Sequence, residues 1–340
     1  MKAFGAGKKL SVVGLDIGSR LVKALEVSFA GEKPLITKIH ALEIDFPPGI
    51  KAAEAALTAL SEKLNASSRE VNTSLAAPDA IVRFVKMPRM KKGDLISSLK
   101  FEAEKYIPFN INEVITDACI LEDDSGGQKE MRVVIAAAKK VAVNARLSKL
   151  KNAGFSVAFV DIDSFACFNA FCNAVELKEP SADIALINLG YVQTNVIICR
   201  GKNPYFTRDI QIGARDVAGS ISQRLNLDPK KADAFLKEPK AVSPEIIEPS
   251  KQVLNNLADE LRLSFGYYEN QYGSSVREIY LSGGMARSEN LVNFISESFG
   301  IKPVVWNPLA KFGTAEGVDP NEAGKLAPQF AVCAGLVLRK

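Results

Sequence analysis

The chain opens with two short apolar runs, Ser11–Ile17 and Leu21–Val27, separated by Gly18-Ser19-Arg20, and a third follows at Pro34–Glu43. Runs of this length, rich in β-branched residues and bounded by glycine, predict an antiparallel meander of three strands. The spacing changes to a helical period over Ala52–Leu64 and returns to strand patterns at Val71–Ala76 and Ile81–Met87. From Ile81 the chain reads strand, helix (Asp94–Tyr106), strand (Val114–Leu121), polar turn (Asp123–Gln128), strand (Met131–Ala138), helix (Val141–Ala153) and strand (Phe155–Val160). That order predicts an inserted βαββαβ subdomain. A helix at Phe165–Val175 and the charged, proline-containing linker Leu177–Ser181 close the first half.

The second half repeats the opening. Ile184–Leu189 and Thr194–Cys199 flank Gly190-Tyr191-Val192-Gln193, a third strand follows at Pro204–Asp209, and a helix covers Ala214–Leu225. Superposing the halves puts Asp16 on Asn188, Gly18 on Gly190, Gly31 on Gly201 and Pro34 on Pro204, which predicts one duplicated unit. Beyond it, Leu254, Leu257, Leu261, Phe265, Tyr268 and Tyr272 mark one face of a long amphipathic helix. A strand at Glu278–Leu281 leads through Ser282-Gly283-Gly284 into a helix at Ser288–Phe299. Strands and helices alternating in this way predict a layered α/β fold.

Composition narrows the chemistry. The 43 Lys and Arg against 39 Asp and Glu are spread along the chain, with no basic stripe to track a nucleic-acid backbone. No apolar stretch approaches the roughly 20 residues that span a bilayer, so neither a membrane-spanning nor a secreted protein is expected. The five cysteines show no paired CxxC spacing, which suits buried thiols in a reducing compartment. With His40 as the one histidine, a histidine metal cluster or a Ser-His-Asp triad has no second member.

The remaining candidates are glycine turns. In Asp16-Ile17-Gly18-Ser19, Gly18 lets backbone N–H groups approach an anion, Ser19 adds a hydroxyl donor, and Lys23 leaves on the next strand. Asp16 is the natural partner for a hydrated Mg²⁺. Alone, the turn reads equally well as a tight hairpin. The second copy brings Gly190 and Thr194 opposite Gly18 and Ser19, and Gly283, Gly284 and Met285 provide a bare backbone shelf between strand and helix.

Five segments in order resemble the signatures of the actin-like ATPase superfamily: GLDIGSRLVKALEV, VDIDSFACFNAF, ALINLGYVQTNVII, YLSGGMARSENL and QFAVCAGLVLR. Within it, LKFEAEKYIPFNINEVITDACIL resembles the insert of the PilM family of type IV pilus assembly proteins. The resemblance implies two lobes built on a duplicated ribonuclease H-like unit. The first lobe would comprise residues 1–80, 155–180 and 326–340, the insert 81–160, and the second lobe with its adenosine motif 181–325. It further implies ATP or ADP as ligand with Mg²⁺ near Asp16. Gly18, Ser19, Lys23, Gly190 and Thr194 would touch phosphates, and Glu260, Gly283, Gly284 and Met285 adenosine.

Superfamily members usually carry aspartate where this chain has Asn188, a weak metal partner, so at most slow hydrolysis is expected. Asp16, Asp161 and Asn188 are the catalytic candidates. The resemblance also implies a cytoplasmic protein held at the inner membrane by the N-terminal tail of a PilN-like membrane protein. Motor ATPases, a platform protein and self-association are further expectations. Tyr106, Pro108 and Phe109 are candidate peptide anchors, whereas Phe101 and Ile107 read as the insert's own core. Two rivals share the clamp: a sugar-type kinase using Asp161 or Asp163 as base, and a polymerising FtsA- or actin-like protein.

Overall fold

The computed structural model describes residues 11–31, 33–65, 69–121, 129–236 and 248–339; the polar turn expected at Asp123–Gln128 lies outside the described residues. The opening meander forms as β1 (Ser11–Ile17), β2 (Leu21–Ser28) and β3 (Leu35–Glu43), each antiparallel to the next. Helix α1 (Ile50–Leu64) then crosses over the sheet, which lets β4 (Glu70–Leu75) lie parallel to β1. Its Leu57, Leu60 and Leu64 lie on one helical face and bury against Val13, Leu15, Val22 and Ala24.

The insert follows as β5 (Ala80–Pro88), α2 (Lys92–Ala103), β6 (Val114–Ile120), β7 (Glu130–Lys139) and α3 (Lys140–Asn152). Then come β8 (Ser156–Ile162) and α4 (Asp163–Ala174). The βαββαβ order is therefore present, but pairing divides it. The insert's sheet is β5-β7-β6, while β8 pairs in parallel with β4. Helix α3 goes with β8, because its Leu150 buries beside Val13, Leu15 and Phe155 and its Val143 beside Leu75 and Ala80. The free-standing part of the insert is three strands covered by α2. Ile107 is buried in that core, as expected, but Phe101 is 72% exposed. Helix α2 ends at Ala103, ahead of Pro108, and its apolar residues fall on both sides.

The second unit comprises β9 (Asp183–Leu189), β10 (Thr194–Arg200), β11 (Asn203–Ile210), α5 (Ala214–Leu225) and α6 (Pro229–Phe235). After the long helix Lys251–Tyr272 come β12 (Glu278–Ser282), the helix Glu289–Phe299, β13 (Val304–Val305) and β14 (Gly313–Thr314). The second sheet runs β11-β10-β9-β12-β13 and the first β14-β3-β2-β1-β4-β8. Removing the edge strand β14 leaves the same order in both, third, second, first, fourth, fifth. That identity is the structural form of the duplication. Strand β14 crosses back to pair with β3 of the first lobe.

Helix α4 and the final helix Ala331–Val337 pack against each other, and their residues share a core with both sheets, including Leu25, Phe171, Leu186, Tyr280 and Trp306. They approach so closely that a Cβ on Gly335 would overlap the Ala166 carbonyl. The insert rests on the second lobe through Arg132, whose guanidinium stacks 3.5 Å from the Tyr205 ring centroid and donates to the Pro204 carbonyl.

Candidate functional site

The two hairpin turns are built alike. In the first, the Gly18 N–H donates to the Leu21 carbonyl at 3.0 Å; in the second, the Gly190 N–H donates to the Gln193 carbonyl at 3.0 Å. A Cβ would come within 2.9 Å of the Leu21 oxygen at Gly18 and 2.6 Å of the Gln193 oxygen at Gly190, so both turns exclude a side chain. At Gly283 the backbone has φ +92° and presses on Leu189 at the end of β9, a position only glycine takes without strain. All three glycine elements open onto one interlobe cavity of about 570 Å³.

That cavity collects most of the residues singled out by the sequence: Asp16, Gly18, Ser19, Lys23, Asn188, Gly190, Gly283, Gly284 and Met285. Asp16 and Lys23 are opposite each other in the β1–β2 register, which brings the Lys23 ammonium 2.5 Å from an Asp16 carboxylate oxygen. Lys23 also donates to the Gln329 carbonyl at 2.9 Å. Burial is the largest single influence and would lower its pKa, but the charge and hydrogen bond of Asp16, together with Cys333 and Asp163, jointly hold the ammonium above its ordinary value.

Three expected residues are elsewhere. Thr194 is fully buried and its hydroxyl donates to the Ile212 carbonyl at 2.8 Å, leaving Gln193 and Asn195 to line the cavity. The pleat explains this, because Thr194 is already the first residue of β10 and its side chain takes the opposite face from its neighbours. Glu260 lies on the long helix with its carboxylate on Arg208 at 2.5 Å, outside the cavity lining. Asp161 also lies outside, 3.8 Å from Arg339. Of the two aspartates weighed as a base, Asp163 is the one in the cavity, at the start of α4. Burial, with the Asp16 charge as the next cause, pushes its carboxyl up to about 6, against the hydrogen bond from Ser74.

Asn188 is held on both sides. Its amide donates to Asn195 at 3.2 Å, and its carbonyl accepts from the Ser282 hydroxyl at 3.3 Å. Asn195 in turn donates to Asp209, which also accepts from the Ala77 backbone of the first lobe.

The cavity residues that sequence reasoning missed include Arg20, Tyr191, Asp233 and Arg146. Arg20, in the first-lobe turn, donates through Nε and Nη2 to Asp233 on α6 of the second lobe, at 3.0 and 2.9 Å. It also donates to the Ile44 carbonyl. The Tyr191 hydroxyl donates to Asp233, and burial followed by that carboxylate pushes the phenol up to about 12. Arg20 follows Ser19 directly, so its place beside the turn was readable; nothing local pointed to Asp233, 213 positions away.

The peptide anchors expected in the insert form a rim on its core. Tyr106 and Phe109 pack partly buried against the core, Lys139 stands 5.1 Å from the Phe109 ring centroid, and Pro108 is exposed. Among the described residues no group of three or more His, Cys, Asp or Glu side chains could hold a metal unaided, and no helix is long and apolar enough to cross a membrane.

Residues 14–340 match the family described as type IV pilus assembly protein PilM. Among solved structures, a PilM–PilN type IV pilus biogenesis complex is similar at 27% identity with a TM-score of 0.85, covering 98% of this chain and 99% of that one. The ethanolamine utilization protein EutJ from Carboxydothermus hydrogenoformans shares the fold at 10% identity and TM-score 0.56, with 99% and 92% covered. An archaeal actin homologue, Ta0583, in complex with ADP, shares it at 13% identity and TM-score 0.50, with 96% and 98% covered. With sheets of matching order, a cleft lined by both turns and a family match over nearly its whole length, the chain belongs to the PilM family of type IV pilus assembly proteins and has the actin-like ATPase fold.

Proposed function

We propose that this chain is a nucleotide-binding adaptor of type IV pilus assembly, in which ATP or ADP fixes the angle between the lobes and thereby the affinity for the N-terminal tail of a PilN-like membrane protein. The observation that carries the reading is the single cavity of about 570 Å³ into which the Gly18, Gly190 and Gly283 elements of both lobes open. A ligand held by both lobes stabilises one interlobe arrangement in proportion to its differential affinity, and no bond need break.

In this reading Gly18, Ser19, Lys23 and Gly190 hold phosphates, while Gly283, Gly284 and Met285 flank adenosine. The Asp16 and Asp163 carboxylates on the cavity wall suit a water-bridged Mg²⁺, which takes one or two carboxylates and the ligand's own phosphates. The ion would offset the Asp16 repulsion that adds to burial in raising the Asp163 carboxyl. Asn188, committed to Asn195 and Ser282, is poorly placed to orient an attacking water, which supports slow hydrolysis at most.

The solved PilM–PilN complex supports the choice of partner. Pro108, with Tyr106 and Phe109 behind it, offers an apolar rim for an extended tail. The Arg132–Tyr205 stack gives the second lobe a grip on the insert, so a change of interlobe angle would reach that rim. Attachment at the inner membrane then comes through the partner. Contacts with motor ATPases, a platform protein or a second copy would build on the same assembly.

The sugar-kinase reading finds Asp163 in the cavity, but the charged groups near it, Asp16 and Arg146, are ones the nucleotide reading uses, and the stretch 75–78 of the lining is apolar. Calorimetry of a synthetic PilN-like tail, with no nucleotide, ATP or a non-hydrolysable analogue, tests the proposal. Comparable shifts in tail affinity with ATP and analogue are expected; a shift seen with ATP alone would show that hydrolysis is required and overturn it.

A further inference from the structure

Among the described residues, four cationic side chains line the interlobe cavity: Arg20, Lys23, Arg146 and Arg287. Two are already engaged. Arg20 is held by Asp233 and the Ile44 carbonyl, and Lys23 by Asp16 and the Gln329 carbonyl. Arg287 belongs to the second lobe, in the short 3₁₀ turn Met285–Arg287 that follows the Gly283-Gly284 shelf. Arg146 comes from α3 of the first lobe and lies in the fields of Asp163, Asp16 and Asp79, in that order of strength. Among the described residues it makes no hydrogen bond and closes no ion pair.

A guanidinium does not deprotonate to escape such a position, and withdrawing one from water without hydrogen-bond acceptors is unfavourable. The nearby carboxylates do not meet that need. Asp16 is bound by Lys23, Asp163 accepts from Ser74, and Asp79 lies 3.7 Å from Lys139. Arg146 is half-buried on the cavity wall, so an acceptor for its guanidinium can come from a ligand that enters the cavity beside Asp16 and Asp163. Arginine's planar fork suits a phosphate group with two or three free oxygens, a match that a carboxamide or hydroxyl does not offer.

We propose that Arg146 binds the terminal phosphate of a nucleoside triphosphate, so that the cleft distinguishes triphosphate from diphosphate; this rests on the nucleotide reading above. The position has a consequence for signalling. Helix α3 begins at Lys140, directly after β7 of the insert ends at Lys139, and β7 carries the Arg132 that grips Tyr205. A terminal phosphate on Arg146 therefore acts on the element that joins the cavity to the insert.

The experiment measures ATP, the non-hydrolysable analogue and ADP by titration calorimetry with Mg²⁺, on the full chain and on Arg146→Gln and Arg146→Lys. Losing a charge-assisted pair to phosphate is expected to weaken ATP and the analogue by about ten-fold or more in Arg146→Gln, with ADP changed less than about three-fold. Retained ADP binding shows that the variant is folded. Arg146→Lys, which keeps the charge but loses the fork, should lose less, and it decides the matter alone if the glutamine variant fails to fold. Equal losses for ATP and ADP, or no loss, would make Arg146 a mere counter-charge to Asp163 and overturn the inference while leaving the nucleotide reading intact. A wild-type chain that binds neither nucleotide would overturn both.

Discussion

Removing Arg20 should destabilise this protein more than removing its partner, and the asymmetry follows from what each leaves behind. The Arg20–Asp233 pair joins the two lobes at 2.9 Å, with side-chain exposures of 11% and 4%. At about 3 Å and an effective dielectric near 20, the bare attraction is roughly 5 kcal/mol, much of it offset by the loss of hydration. In Arg20→Ala the Asp233 carboxylate stays buried with the Tyr191 hydroxyl as its remaining donor among the described residues, which should cost about 3–5 kcal/mol. In Asp233→Ala the guanidinium keeps the Ile44 carbonyl and the half-exposed Glu43, so a loss of about 1–2 kcal/mol is expected. The double variant should fall short of the sum by at least about 1.5 kcal/mol. Urea unfolding of the four proteins can be followed by the single tryptophan, Trp306, which is buried in the shared core, with hydrogen exchange at α6 as the local readout. Additive effects, or Asp233→Ala as the more damaging change, would refute the view that this ion pair latches the lobes.

Gly18→Val should abolish nucleotide binding, because its Cβ meets the Leu21 oxygen at 2.9 Å and its branches enter the cavity; undiminished ATP binding by calorimetry would mean that the site lies elsewhere. Asp163, with its carboxyl near 6 in the folded protein against 3.8 unfolded, holds a proton that the unfolded chain has released, so its contribution to stability falls as pH rises from about 4 to about 6. Asp163→Asn should therefore raise the melting temperature at pH 7–8 and lose that advantage below about pH 4; a pH-independent difference between the two melting curves would contradict it. Asn188→Asp should lower stability by roughly 1–3 kcal/mol, since a carboxylate has no N–H to give Asn195. A melting temperature equal to or above that of the wild type would show that the amide is dispensable.

What the sequence revealed and what it hid divide by range of interaction. The β1–β2 and β9–β10 hairpins were legible because a glycine turn between two apolar runs specifies its own pairing. The duplication was legible because both copies obey that local rule. The place of β8 was legible only in part, since residues 155–160 were assigned both to the insert and to the first lobe, and it is pairing with β4 that decides for the first lobe. Thr194 was misplaced by analogy with Ser19. The duplication set Thr194 across the cleft from Ser19, yet Ser19 belongs to the turn, where Tyr191 is its counterpart, and Thr194 to the strand, where the pleat fixes its direction. Phe101 was misread because α2 has apolar residues on two faces, and a sequence cannot say which face meets the sheet. The Arg20–Asp233 contact lies beyond any sequence pattern.

Asn188 now has a physical reason that does not depend on catalysis. It is the middle link of a chain of polar groups whose direction is set at one end by Asp209: Asn195 must donate to that carboxylate, which leaves the Asn195 carbonyl as an acceptor that Asn188 must satisfy with its own N–H. The Asn188 carbonyl is then free to accept from Ser282, whose hydroxyl also lies 3.6 Å from the Cys167 sulfur on α4. The relay therefore touches the first lobe at both ends, through Ala77 on Asp209 and through Cys167 on Ser282. An aspartate at 188 would remove one bond from this series and place a third carboxylate in a cavity where burial, and then the charge of Asp16, already disfavour the charged form of Asp163. The amide holds the lobes in register at the floor of the cleft, while Arg20 and Asp233 hold them through α6. An amide fixed in this way at the end of β9, where a carboxylate would be needed for a metal, supports the proposal of a cleft that keeps a nucleotide in place more than it hydrolyses one.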